Sequence, residues 1–146
     1  MTLHEAINRA DMLKPNSYSQ SEKIWWLSCL DGTIKEEIID THEGGENIDF
    51  SGYNDKTLLD TKLLVPAPYD EIYIRYLEMQ INYANGEFGK YNNSLEMYEK
   101  AYEAFARHYN RTHMPKGAKF KFFGQPDIKE YQVATSIAKV SIEEDK

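Results

Sequence analysis

The sequence has little cysteine, no long apolar run and few cationic side chains. Its single cysteine, Cys29, can form no internal disulfide and no thiolate metal cluster, which favours a reducing compartment. No stretch of about eighteen apolar residues occurs, so no transmembrane helix is expected. Residues 1–15 also lack the basic start and continuous apolar segment of a signal peptide. We therefore expect a soluble intracellular protein, neither exported by the usual route nor inserted in a membrane.

The shortage of cations leaves a formal net charge of −7, from 17 Lys and Arg against 24 Asp and Glu. This balance argues against a general nucleic-acid binder, because duplex affinity depends on cations that neutralise phosphates. It is compatible with an acidic wall past which DNA slides without adhering. Aromatic residues, in contrast, make up 13% of the chain, with eleven Tyr. Tyr suits both cores and wet interfaces, so partner contacts and a Tyr-rich core are both open.

Residue types that carry catalysis are present but form no recognisable constellation. His108 and His113 are the only histidines close in sequence, and a spacing of five puts them about 140° apart on a helix, which excludes chelation of one ion. We interpret the histidines as surface or capping residues and Cys29 as a small core residue. Carboxylate clusters at residues 36–40 and 96–103 are interpreted as solvated helix faces. The sequence thus predicts no enzymatic activity, no metal and no cofactor.

Two capping signals predict where the first helices begin. Residues 2–5 (TLHE) have the form of a capping box and predict a helix from about Leu3 to Leu13. Residues 19–22 (SQSE) repeat the pattern and begin a second helix, expected to end at Gly44-Gly45. Its apolar side recurs at steps of three and four: Ile24, Leu27, Leu30, Ile34 and Ile38. Its opposite, solvated side is expected to carry Lys23, Asp31, Lys35, Glu36 and Asp40.

The second half of the chain predicts a loop followed by two more helices. Residues 43–62 contain three Gly and isolated aromatics, which predicts a long loop. The third helix is expected after Pro68, which suits a first helical turn, with one face formed by Ile72, Tyr76, Met79 and Tyr83. Asn85-Gly86 should end it, and Gly89 reinforces the break. A fourth helix is expected from Asn92 or Asn93 to about His113, antiparallel to the third.

These elements predict a mainly α protein: a small bundle of about four helices with a long central loop and a short strand or extended C-terminal segment. The bundle should span residues 1–115, and residues 116–146 should form an extended, mobile C-terminal docking segment. The expected shared core comprises Ile24, Leu27, Ile34, Ile72, Tyr76, Met79, Leu95, Tyr102 and Phe105.

Aromatic and basic residues outside the predicted core stripes are candidates for protein interfaces. Trp25 and Trp26 are adjacent, so they point about 100° apart on a helix, and one should extend the core while the other lies at its margin or in an interface. The central loop supplies Phe50 and Tyr53. The segment after Pro115 supplies a basic and aromatic cluster of Lys116, Lys119, Phe120, Lys121 and Phe122. This cluster either docks on an acidic partner or closes an edge strand over the bundle.

Residues 63–115 contain four motifs that resemble a known group of proteins. Residues 64–70 read LVPAPYD, residues 81–87 read INYANGE, residues 91–93 read YNN, and residues 109–115 read YNRTHMP. Through these four motifs the segment resembles the head–tail connector family of long-tailed bacteriophages and prophages, also called head-completion or adaptor proteins.

The resemblance implies a small helical bundle that binds the phage portal protein below the filled capsid. Such subunits form a ring, present their other face to a stopper or tail-completion protein, and let DNA pass through the channel without specific binding. The resemblance also implies a flexible C-terminal segment that docks into the portal. The implied location is the host cytoplasm during assembly and then the virion. The alternative left open by the residues is a non-viral helical adaptor that binds a peptide or partner helix.

Overall fold

A computed structural model describes residues 1–117 and shows a mainly α-helical chain. By its backbone contacts the chain divides into two units, Met1–Met114 and Pro115–Lys146. The elements of the first unit are α1 (Leu3–Leu13), α2 (Gln20–Ile34), a π-helical turn (Lys35–Ile39), a short 3-10 helix (Gly45–Asn47), α3 (Glu71–Ala84) and α4 (Phe88–Thr112). Residues 1–117 form no β-sheet, although an isolated antiparallel bridge joins Thr2 and Lys62. The strand expected near Phe120 lies outside the described residues.

Helix α1 begins with the capping box predicted from the sequence. The Thr2 hydroxyl accepts a hydrogen bond from the Glu5 amide, and the Glu5 carboxylate accepts one from the Thr2 amide. The hydrogen bond from the Thr2 amide holds the pKa of the Glu5 carboxyl below its usual value. The buried stripe of α1 is formed by residues at successive steps of three, one and three: Leu3, Ala6, Ile7 and Ala10. Two of these are Ala, so α1 lies close against α3.

Helix α2 is shorter than the sequence predicted. The Ser19 hydroxyl accepts from the Glu22 amide, as expected, but regular α-helix ends at Ile34 and a wider π-helical turn follows. In that turn the Asp40 amide donates to the Lys35 carbonyl at 2.8 Å. The wider turn shifts the register, and the neighbouring Ile38 and Ile39 are both buried. The prediction of a helix reaching Gly44 was therefore wrong.

Helices α3 and α4 form the antiparallel hairpin that the sequence predicted. The C-terminal end of α3 is a Schellman turn: Gly86 has φ of +73°, its amide donates to the Tyr83 carbonyl, and the Glu87 amide donates to the Asn82 carbonyl. The positive φ explains why glycine stands at this position. Helix α4 begins directly after the turn, at Phe88, so the prediction of a start near Asn92 was wrong.

Aromatic pairs join the two arms of the hairpin at regular intervals. Their ring centroids lie 6.3, 5.2 and 5.3 Å apart, in the pairs Tyr69–Phe105, Tyr76–Tyr98 and Tyr83–Tyr91. From one pair to the next, the first residue advances by seven positions, from Tyr69 into and along α3, while the second moves back by seven positions along α4. Seven residues are close to two helical turns. We call these three pairs the aromatic rungs. They fix the register of α3 against α4.

The buried face of α3 differs from the predicted one. Tyr73, Leu77 and Ile81 are fully buried in the core, while Tyr76 is only partly buried and Tyr83 is 58% exposed. The predicted stripe instead supplies Tyr76 and Tyr83 to the aromatic rungs, where their rings contact rings of α4. Leu95 and Tyr102 are likewise partly exposed rather than core residues. The remaining predicted core residues are buried, namely Ile24, Leu27, Ile34, Ile72, Met79 and Phe105.

The central segment, residues 43–62, is a loop as predicted, and it packs on the bundle. Ile48, Tyr53 and Leu59 are partly buried against the core. At its end the loop satisfies the first turn of α1, because the Leu3 amide donates to the Thr61 carbonyl and the His4 amide to the Leu59 carbonyl, both at 3.0 Å. Pro68 lies before α3, which begins only at Glu71 with Asp70 at its N-cap.

Truncation of the core tests these packing assignments. Leu27→Ala and Phe105→Ala remove side chains with at most 1% exposure, so each variant should lose about 2–5 kcal/mol of unfolding free energy. Leu58, which is 72% exposed, provides the control, and Leu58→Ala should change stability by less than about 0.5 kcal/mol. Urea unfolding followed by circular dichroism measures all three. Equal, small losses at all three positions would contradict the assigned core.

Candidate protein-interaction site

One cleft brings together two of the predicted interface residues. Trp25 on α2 is 61% exposed, and its side chain lines a cleft of about 320 Å³ together with Tyr53 of the central loop. The other lining residues are Ser19, Ser21, Glu22, Ile24, Asn54 and Asp55. We call this the tryptophan cleft. An exposed indole beside a tyrosine ring is typical of residues that dominate binding energy at protein interfaces.

The two adjacent tryptophans separate as the helical geometry predicted. Trp26 is only 7% exposed and belongs to the core, where its ring meets that of Tyr18 at a centroid distance of 5.8 Å. Trp26 is therefore not an accessible contact residue. Phe50 is half-buried and packs edge-to-face on Tyr53 at 5.2 Å, but it is not among the residues that line the cleft.

The cleft is held in place by a buried carboxylate. Asp31 is 0% exposed, and its oxygens accept hydrogen bonds from the Tyr53 hydroxyl at 2.6 Å, the Tyr73 hydroxyl at 2.6 Å and the Leu64 amide at 3.2 Å. The Tyr73 hydroxyl in turn accepts from the Val65 amide at 2.7 Å. Asp31 thereby joins α2, the central loop and α3. A second bond, from the Tyr53 amide to the Ser28 hydroxyl, fixes the loop along the same side of α2.

The prediction that Asp31 and Lys23 lie on a solvated face was wrong. Lys23 is 3% exposed, and its ammonium pairs with Asp11 of α1 at 2.7 Å. A signal for Asp31 existed in the sequence, because it stands four residues after Leu27 and three before Ile34. That spacing puts it on the apolar stripe. A polar residue on such a stripe needs buried partners, and the partners lie in distant segments.

A second cleft lies between α2, its π-helical turn and α4. It measures about 510 Å³ and is lined by Thr33, Glu37, Tyr98, Glu99, Tyr102 and Glu103. The Tyr102 hydroxyl donates to Glu37 across the cleft at 2.5 Å. Burial raises the pKa of both tyrosines, and the charge of Glu37 raises it further. We call this the acidic tyrosine cleft. It was missed because its carboxylates were interpreted only as solvated charge.

The remaining predicted contact residues belong to the second unit. Lys116 is exposed, and Lys119, Phe120, Lys121 and Phe122 lie outside the described residues. Whether this segment docks on a partner or closes the bundle stays a prediction.

Residues with potential for catalysis have structural positions in the described part of the chain. His42 is buried, contrary to the prediction of a surface residue, and its ring nitrogens lie 2.6 Å from the Ile38 carbonyl and 2.7 Å from Asn110 Oδ1. Cys29 is partly exposed rather than a core residue, and burial raises the pKa of its thiol. Within residues 1–117 no group of His, Cys, Asp and Glu side chains could hold a metal ion. In the same range no helix is long and apolar enough to span a bilayer.

Comparison of the chain with protein-family models, with curated proteins and with solved structures finds no match.

The Asp31 contacts predict a specific effect of pH on stability. Burial is the largest influence and raises the pKa of the Asp31 carboxyl, while the bonds from Tyr53, Tyr73 and Leu64 lower it. Because the folded pKa exceeds the unfolded one, about 3.9, the favourable contribution is complete below that pH and is lost as pH rises through the folded pKa. Asp31→Asn removes this titration and places an amide NH₂ near hydrogen-bond donors, at a cost of about 1–3 kcal/mol.

The advantage of the wild type over Asp31→Asn should therefore shrink as pH rises from about 3 to 7. Denaturant unfolding at a series of pH values measures this difference. Asp60 is exposed, so Asp60→Asn is the control and should show no such trend. An advantage that grows with pH would mean that the three hydrogen bonds, rather than burial, control the pKa of Asp31.

Proposed function

We propose that this protein is a head–tail connector subunit of a long-tailed phage or prophage, with no catalytic role of its own. It binds the portal protein, assembles as a ring and offers its other face to a stopper or tail-completion protein. The observation that carries the proposal is the resemblance of residues 63–115 to that family. In the protein this stretch comprises the approach to α3, the α3–α4 hairpin and the residues directly after α4.

The surface of the bundle supports a function based on contact with other proteins. The tryptophan cleft offers a large exposed indole beside a tyrosine whose hydroxyl is anchored to Asp31. A tyrosine ring anchored in this way loses little conformational entropy on binding, which favours tight association. The net charge of −7 also suits a subunit that lines a DNA channel, because like charges repel and no counterions are released.

Loss of Trp25 should weaken binding to the portal. Trp25→Ala removes an exposed ring and should reduce affinity for the portal of the same genome by about tenfold or more, as expected for a hot-spot residue. Met12 on α1 is 82% exposed and lies outside the cleft, so Met12→Ala is the matched control and should bind as the wild type does. Surface plasmon resonance on immobilised portal rings measures the affinities. Absence of portal binding by the wild type would overturn the proposed function and favour a non-viral adaptor.

Removal of residues 117–146 tests the docking role of the C-terminal segment. The core residues found in the described part of the chain lie within Met1–Met114, so the truncated protein should keep nearly the same melting temperature. In a phage genome that lacks the gene, the full chain should restore tailed particles, whereas the truncated chain should leave DNA-filled heads without tails. Electron microscopy of induced lysates distinguishes these outcomes. Unfolding of the truncated protein would instead assign the segment to the core.

A further inference from the structure

The acidic tyrosine cleft carries negative charge that the described part of the chain does not neutralise. Among residues 1–117, none of Glu37, Glu99 and Glu103 forms an ion pair with Lys or Arg. Another glutamate of α4, Glu96, does have a counter-charge, because it pairs with Lys100 at 2.9 Å. Carboxylates that share a cleft without a counter-charge repel one another, and a bound cation relieves that repulsion.

Two tyrosine rings line the cleft together with its carboxylates. Tyr98 and Tyr102 stand one helical turn apart on α4, with ring centroids 6.1 Å apart and planes at 53°. The bond from the Tyr102 hydroxyl to Glu37 holds that ring across the cleft. Tyrosine faces attract ammonium groups and pack with other aromatic rings. The cleft therefore suits a ligand that carries both ammonium groups and aromatic rings.

The chain itself contains such a ligand. Lys119 and Lys121 alternate with Phe120 and Phe122 in the sequence KFKF, the local basic and aromatic cluster of an otherwise acidic protein. We propose that residues 119–122 of one copy bind in the acidic tyrosine cleft of a second copy. The lysines pair with the cleft carboxylates, and the phenylalanines contact the rings of Tyr98 and Tyr102. Opposite charge and shared aromatic character select this occupant.

A contact of this kind is heterologous, and it forms a ring when the rotation between successive subunits closes. The segment of one subunit meets the cleft of the next, so the two surfaces differ and the contact repeats head to tail until the rotation closes. The inference supplies the contact between subunits of the proposed connector and in that respect rests on the proposed function. Its test uses the purified protein alone, so failure here leaves the portal affinities of the wild type and of Trp25→Ala unaffected, and absence of portal binding leaves the contact between copies unaffected.

Peptide binding tests the recognition step. A fluorescent peptide with the sequence of residues 117–124, GAKFKFFG, is titrated into the full-length protein and followed by anisotropy. One site per chain is expected. Glu99 and Glu103 are exposed, so Glu99→Gln combined with Glu103→Gln should raise the Kd about three- to tenfold, within the range for two exposed ion pairs. Glu96→Gln, outside the cleft, should leave the Kd within about twofold. A peptide with Lys119→Glu and Lys121→Glu should not bind. Equal effects of the cleft and Glu96 variants would overturn the proposal.

Mixing two full-length variants distinguishes binding between copies from binding within one chain. One variant carries Glu99→Gln and Glu103→Gln, and the other carries Lys119→Gln and Lys121→Gln. Each alone should be monomeric in sedimentation velocity at a concentration where the wild type associates. A mixture retains one intact segment and one intact cleft per pair, so it should form dimers and nothing larger. A mixture that stays monomeric, or a wild type that never associates, would overturn the contact between copies.

Discussion

The hydrogen bonds to Asp31 are the interaction on which the arrangement of the first unit, Met1–Met114, most depends. A carboxylate at a fully buried position of α2 is unfavourable unless donors replace the lost water, and the donors come from the central loop and from α3. The same bonds therefore satisfy the carboxylate and fix a loop that has little regular structure. Tyr53 connects the interior with the surface, because its hydroxyl donates to Asp31 while its ring lines the tryptophan cleft. A surface feature is thus positioned from the interior.

Features set by neighbouring residues could be predicted from the sequence. The capping box at Thr2, the separation of Trp25 from Trp26 and the glycine turn at Gly86 each depend on a few consecutive residues and on fixed helical geometry. The helical hairpin followed from that turn. These signals need no knowledge of the rest of the chain, which explains why the predictions agree with the structure.

Features set by distant partners could not be predicted in the same way. The position of Asp31 on the apolar stripe indicated burial, but its partner Tyr73 stands 42 residues further along, and no local pattern predicts that pairing. Helix α4 was given a late start because Gly89 weakens a helix by about 1 kcal/mol. Packing across the hairpin outweighs that local preference. The stripe of Tyr76 and Tyr83 was correctly seen as helical, but its contacts are with α4 rather than with the centre of the bundle.

The two clefts differ in chemistry, and that difference bears on how one small bundle can have several neighbours. The tryptophan cleft presents an exposed indole anchored to a buried network, whereas the acidic tyrosine cleft presents carboxylates around rings. A partner suited to one is poorly suited to the other, because desolvating unpaired carboxylates opposes an apolar occupant. Separate contacts can therefore be made at the same time without competition.

The seven-residue spacing of the aromatic rungs restricts how this hairpin can change in length during evolution. A rung consists of one ring before or on α3 and one on α4, so an insertion in one arm alone would turn its later rings away from their partners. Matched insertions of seven residues in both arms would add a rung and keep every existing pair. Relatives of this protein with longer or shorter hairpins are thus expected to differ by paired heptads rather than by single residues.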